Sequence, residues 1–458
     1  MMKMLTIAAS ALLAATFLSS CSDSGEHTLP NGFDEPGVPP LKVEWTSHAD
    51  TVFLSWKLVR DDIKFDAFRV YDKAGINDVR VSSGTTECQL THIPYNQRFP
   101  VKVALMDGNE ETAFVEENLN ITGFDYWISS QILPDSGSVT EGDGMYSIYL
   151  PDGRSIFLMG DSYTGTVSGG KRVSGNHMYR NTYQVYDNGK TTAICCANGE
   201  NTSAAVPAGV VNEGQEWYWP GHGFVVNGKL YIFQFLMYQA GEGAFGFAYK
   251  KTNILEYSLP DIALVKDSPI PFFSSNDTIH YGAAALNDGE YLYIYAQVDI
   301  ENDIDPVTEV LVARTTPEKL LSEWEYWNGS SWSLDKNAAV KLAGLDTVPI
   351  SSQFNVFKLE DKYVLLAQDK TFNSGKIYTF TSSNPYGPWG NKKLIYDIPD
   401  LGNPNWFTYN AMGHPQFEKD GMILVSFNVN TAVFSEQFSD VSSYRPRFFW
   451  VDKNMILK

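Results

Sequence analysis

Three acidic residues stand where carboxyl chemistry could be done. Asp143 lies in Thr-Glu-Gly-Asp-Gly, Asp161 in Met-Gly-Asp-Ser-Tyr and Glu216 in Gln-Glu-Trp-Tyr-Trp-Pro. Cleavage of a glycosidic bond needs one carboxyl as general acid and another as base or nucleophile, held on opposite sides of the bond. Trp217, Tyr218 and Trp219 follow Glu216 directly. Such an apolar wall raises a carboxyl pKa by desolvation, and aromatic faces also stack on sugars. Arg180, Asn181, Tyr409, Asn410 and Asn428 are polar candidates for hydroxyl recognition. Two other readings stay open. Asp161 and Asp369 each end a strand-like run, where a carboxylate caps backbone amides, and the aromatic triplet equally suits a core.

Positioning these groups requires a scaffold, and the sequence repeats one device five times. Each copy is an apolar run, a tight turn and a second run rich in aromatic and β-branched residues. Asn-Gly and Asp-Gly between such runs mark hairpins, because the favoured two-residue turn needs positive φ at both central positions. The turn residues Gly153, Gly228, Gly289, Asp361 and Gly421 are 75, 61, 72 and 60 positions apart. That period suits four-stranded blades with long loops, so the reading is all-β, with a five-bladed β-propeller over residues 125–458. A β-sandwich or β-helix with recurring hairpins is the competing architecture. Closure of the ring is expected from a strand at Tyr126-Trp-Ile pairing with Phe448-Phe-Trp-Val. Asp143, His222, His280, Gln353 and His414 stand at matched places before the inner strands, and are predicted to converge on one channel mouth. Arg180, Trp219, His222, His280, Gln353, Asn410 and His414 are the substrate-binding candidates.

Ahead of the repeats, residues 42–121 hold strand-like runs at Val52–Trp56, Phe68–Tyr71, Glu87–Ile93 and Phe99–Leu105. They alternate apolar and polar residues and predict a small β-sandwich. Their order resembles a fibronectin type III domain, which implies a spacer or docking role. Residues 1–20 form a secretory signal: Lys3, a short apolar stretch, then Leu18-Ser-Ser-Cys21. The last four residues resemble a lipobox, which implies lipidation at Cys21 and a membrane anchor. Residues 21–41 read as a flexible tether. Their Ser-Asp-Ser-Gly-Glu is similar to the acidic tract of some surface-exported Bacteroidetes-type lipoproteins, so an outer-membrane, cell-surface location is expected. The formal charge of −20 repels nucleic acid. Cys88, Cys195 and Cys196 show no zinc-ligand spacing and read as buried thiols acting as small hydrophobes. No cofactor is expected. A channel cation such as calcium is compatible with the mouth, but no motif supports one.

Gly160-Asp-Ser, Trp217-Tyr-Trp-Pro-Gly, His280-Tyr-Gly-Ala-Ala, Trp324-Glu-Tyr-Trp, Asn384-Pro-Tyr-Gly-Pro-Trp389 and Tyr409-Asn-Ala-Met-Gly-His-Pro resemble the bacterial domains of unknown function 5005 and 4185. The resemblance covers about residues 125–458. It implies a five-bladed propeller akin to furanosidase-type glycoside hydrolases, and part of the second group acts as endo-D-arabinofuranases. It adds weight to Asp143 and Asp161 as catalytic residues. Family 43 glycoside hydrolases, a more distant likeness, carry an acid Glu on the third blade, where this chain has only His280 and Asp277. Two functions follow as expectations: a surface-anchored hydrolase of a furanose-containing or related polysaccharide, or a glycan-binding lipoprotein without catalysis. A sialidase is disfavoured, since no Ser-x-Asp-x-Gly-x-x-Trp repeat occurs.

Overall fold

The computed structural model describes residues 38–458 except 49–50, 94–98, 120–122, 197–200, 211, 244–245, 272–277, 301–306 and 420. Cys21, the signal and most of the tether lie outside the described residues, as does Asp277.

The N-terminal strands form two sheets. Leu41–His48, Thr51–Leu58 and Glu87–Leu90 make one, and Asp78–Ser82, Ala67–Asp72, Phe99–Asp107 and Glu110–Leu119 make the other. Along Thr51–Leu58 the buried positions alternate, with Val52, Leu54 and Trp56 turned inward against Phe68, Val70, Val101 and Val103. A two-residue side-chain period with one wet face produces this pattern.

Five antiparallel sheets follow. Their inner strands are Ser136–Tyr149, Glu216–Val226, Ile279–Asn287, Asn355–Leu359 and Trp406–Lys419. Each packs on the next and the fifth packs on the first, which closes the ring of a five-bladed propeller. At the second hairpin Asn227 and Gly228 both have positive φ, 50° and 71°, as the predicted turn demands. Blades two and four carry four strands each; blade five carries three, Trp406–Lys419, Met422–Thr431 and Arg447–Asp452. The core lies between neighbouring blades. One cluster, for example, joins Trp217, Phe235, Tyr295, Phe354 and Leu365.

Closure differs from expectation. Tyr126–Ile132 is a short helix, not a strand. Asp125 caps it by accepting from the Ile128 amide at 2.9 Å. Its own amide donates to the Phe448 carbonyl at 2.7 Å, and the Trp450 indole donates to its carboxylate at 2.8 Å. Ile128 and Ile132, one helical turn apart, are buried with Met145, Phe157, Leu424 and Phe448, so helix, first blade and fifth blade share one cluster. Each such side chain contributes about 1.5–3 kcal/mol through burial. The Asp cap and the four-residue isoleucine spacing were the legible signals for a helix.

Candidate active site

The inner strand of blade one is broken by four register shifts between Ser136 and Tyr146. Gly144 sits at φ 103°, a conformation open to glycine, and the break turns Asp143 toward the second strand, Ser155–Ser168. The fit there is tight: a Cβ on Gly160 would lie 2.6 Å from Asp143 Oδ1. Asp143 is thereby brought beside Asp161, and it accepts a hydrogen bond from the Tyr409 hydroxyl at 2.9 Å. Burial and the neighbouring charge of Asp161 push the Asp143 carboxyl up to about 7, against the Tyr409 hydrogen bond. Burial and the charge of Asp143 also hold the Tyr409 phenol well above its ordinary value, so it stays a donor.

Asp161 is held differently. Its Oδ2 accepts from Arg180 Nη1 at 3.1 Å and its Oδ1 from the Trp219 indole at 2.8 Å. Burial raises its pKa, while the Arg180 charge and the Trp219 hydrogen bond oppose the rise. Arg180 is fixed in turn. Its guanidinium lies 4.2 Å above the Trp217 ring, and its backbone amide donates to Ser203 Oγ at 3.0 Å. Glu213 accepts from the Ser203 amide at 2.6 Å, a buttressing role. On the other flank Asn430 donates to the Tyr409 oxygen at 3.3 Å, Gln437 donates to Asn430, and the Tyr444 hydroxyl donates to the Asp161 carbonyl at 2.9 Å. Asn430, Gln437 and Tyr444 had no signal in the sequence, because they come from the far end of the fifth hairpin's second strand and the segment after it. Two neighbouring carboxyls, one pushed toward neutrality and one paired with a cation, are equipped to give and take a proton in a single reaction.

A sequence profile described as a domain of unknown function (DUF5005) matches residues 131–454. The chain belongs to the DUF5005 family. The comparison with curated proteins finds no match. Among solved structures, a putative hydrolase from Bacteroides ovatus superposes with a TM-score of 0.59 at 20% identity, covering 72% of this chain and 89% of its own. A thermostable family-43 glycoside hydrolase gives 0.37 at 16% identity, covering 70% and 90%. A GH32 β-fructofuranosidase from Bombyx mori gives 0.38 at 11% identity, covering 71% and 65%. This DUF5005 member thus shares its fold with the putative hydrolase from Bacteroides ovatus.

The other sequence candidates of this DUF5005 protein separate by depth. Counted along the second strand of each blade from its hairpin, Trp219 faces Phe235, six residues from Lys229, and Tyr409 faces Asn428, six from Met422. His280 faces Gln297, five from Leu292, and Gln353 lies just beyond the first pair of its blade, Asn355 with Leu366. These residues share the level of Asp143. His414 faces Leu424, only two residues from Met422, and His222 sits at a register shift between the levels of Gln234 and Ile232. Both histidines are buried below the mouth, which corrects their assignment as substrate contacts. His222 Nδ1 accepts from the Ala285 amide at 3.1 Å and its Nε2 meets the Ser147 carbonyl at 3.3 Å, joining three blades. His414 bonds Ser147 Oγ at 2.7 Å and Ser426 Oγ at 2.8 Å. Burial lowers their pKa values to about 4 and about 3. Inner strands that begin six and eight residues earlier, at Glu216 and Trp406, carried the histidines inward. Asn410, at φ 54°, forms the bulge beside Tyr409. His280 packs against Tyr249 with centroids 3.8 Å apart and the rings tilted by 30°. Glu216 stands apart: it starts its strand, pairs with Lys250, and lines a separate open groove of about 530 Å³ with Asn212, Gln215 and Tyr238. Among the described residues no three His, Cys, Asp or Glu side chains gather as a metal set.

Proposed function

We propose that this protein is a glycoside hydrolase acting on a furanose-containing or related polysaccharide, anchored at the cell surface through Cys21. Asp143 serves as general acid and Asp161 as the partner carboxylate. The observation that carries the reading is the asymmetry of the pair: Asp143, pushed up to about 7, keeps a proton near neutral pH, while Arg180 favours the ionised form of Asp161. Trp219 beside Asp161, with Phe247 packed edge-on at 4.7 Å, offers an aromatic surface for a sugar ring. Product analysis on arabinans and other furanose polysaccharides tests the assignment. The expected result is chain cleavage by the wild-type protein, abolished in Asp143→Asn with binding retained. Binding without cleavage of any polysaccharide would leave the protein a glycan-binding lipoprotein. Labelled palmitate incorporation, lost in Cys21→Ser, tests the anchor.

A further inference from the structure

Cys195 and Cys196 follow the outermost strand of blade one, Lys190–Ile194, and make no contact with Asp143 or Asp161 among the interactions described. Consecutive side chains of an extended strand point to opposite faces. Here the strand Lys190–Ile194 ends, and Cys196 takes a left-handed φ of 63°, held by its amide donating to the Thr202 carbonyl at 2.6 Å. That turn brings the two Sγ atoms to 3.8 Å, with the Tyr179 hydroxyl 3.7 Å from Cys196 Sγ. Cys196 is exposed and Cys195 half-buried, so the expectation of two buried thiols fails.

We propose that Cys195 and Cys196 are a redox modification site, at which adjacent thiols close a reversible vicinal disulfide. The oxidant is a low-molecular-weight disulfide. The Cys196 thiolate attacks it and expels one small thiol, and the Cys195 thiolate then attacks Cys196 sulfur and expels the second. Two protein thiols are oxidised, one external disulfide is reduced, and both protons end on the released thiols. The two positions divide these roles. Burial acts against ionisation of Cys196, yet the Tyr179 hydroxyl and the amides of Asn201 and Thr202 bring its thiol below the ordinary value, whereas burial pushes Cys195 up to about 11. Neighbouring Cα atoms are about 3.8 Å apart, below the roughly 4.4–6.8 Å that relaxed disulfides span. The closed ring is therefore strained and readily reduced, as labile disulfides are. Its partners also adjoin the residues that hold Asp161: Tyr179 precedes Arg180, and Thr202 precedes the Ser203 that receives the Arg180 amide.

The test uses the full chain carrying Cys21→Ser, reduced, desalted, and treated with excess oxidised glutathione before alkylation and peptide mass mapping. The expected result is loss of two alkylatable thiols, with the Cys195–Cys196 peptide lighter by two hydrogens, full recovery in dithiothreitol, and Cys88 still alkylated. Cys195→Ser is expected to stop at a stable glutathione adduct on Cys196. Cys195 and Cys196 remaining fully alkylatable, each carrying glutathione, or pairing only between two chains would overturn the proposal. None of these readouts depends on glycan cleavage.

Discussion

The mouth of the channel and the layer beneath it subject ionisable groups to the same force with opposite results. Burial raises Asp143 to about 7 and lowers His222 and His414 to about 4 and about 3. In each case the charged form is disfavoured. A carboxyl so treated gains a proton it can donate, while a histidine so treated becomes a neutral hydrogen-bonding tie. What separates chemistry from architecture is therefore the partner set. Asp143 faces another carboxyl and a phenol, whereas His414 is enclosed by two serine hydroxyls on different blades.

The largest expected effect tests the upper layer. Asp143→Asn should lower turnover by about 10²–10⁴-fold, the usual contribution of a positioned general acid. The same substitution should raise stability at neutral pH. A carboxyl whose folded pKa lies near 7 and whose ordinary value is 3.8 contributes its full stability below about 4 and loses it as pH rises toward 7. Denaturant melts of both proteins at pH 5 and pH 8 measure the crossover, and turnover should fall as pH rises through about 7. Gly160→Ala comes next. Its Cβ would press on Asp143 Oδ1, and a displacement of that kind costs on the order of 10²-fold in rate. Steady-state kinetics with unchanged circular dichroism would separate this from misfolding.

The lower layer should respond in stability, not rate. His414→Ala leaves Ser147 and Ser426 without their imidazole and opens a cavity between blades, a loss of about 2–4 kcal/mol in denaturant unfolding. The pH dependence has a fixed sign. Both histidines fold with pKa values depressed from 6.5, so the unfolded chain binds more protons below that value. Stability should therefore drop as pH falls from about 6.5 toward 4, and His222→Gln should shallow the slope. A mutant that keeps its stability but loses turnover would place His414 in the mouth after all.

The depth of these residues was the part the sequence could not convey. Hairpins are local, so Asn227-Gly228 and its counterparts announced five blades directly. The ladder above each turn is not local. Bulges at Gly142–Gly144, Pro220–Gly223 and Tyr409–Met412 shift the register by amounts that no spacing displays. Alignment on the turn therefore placed Asp143, His280 and Gln353 at the right height and set His222 and His414 too high, while Trp219 and Tyr409 occupy those two places. Asp161 and Arg180 were legible as motif residues, but their pairing needed the strand Thr182–Asp187 to lie beside Ser155–Ser168.

Glu216 offers the smallest effect and the sharpest control. Aromatic residues follow it as they would a desolvated acid, yet strand alternation turns both tryptophan rings away from it. Trp217 and Trp219 share one face with Arg180 and Asp161, and Glu216 projects with Tyr218 from the other. Its partner Lys250 is about half exposed, and such pairs contribute about 0–1 kcal/mol. Glu216→Gln should therefore change turnover by less than about threefold and stability by under about 1 kcal/mol. A loss comparable to that of Asp143→Asn would mean that substrate reaches across the Glu216 groove, and the carboxyl pair would then be only part of the site.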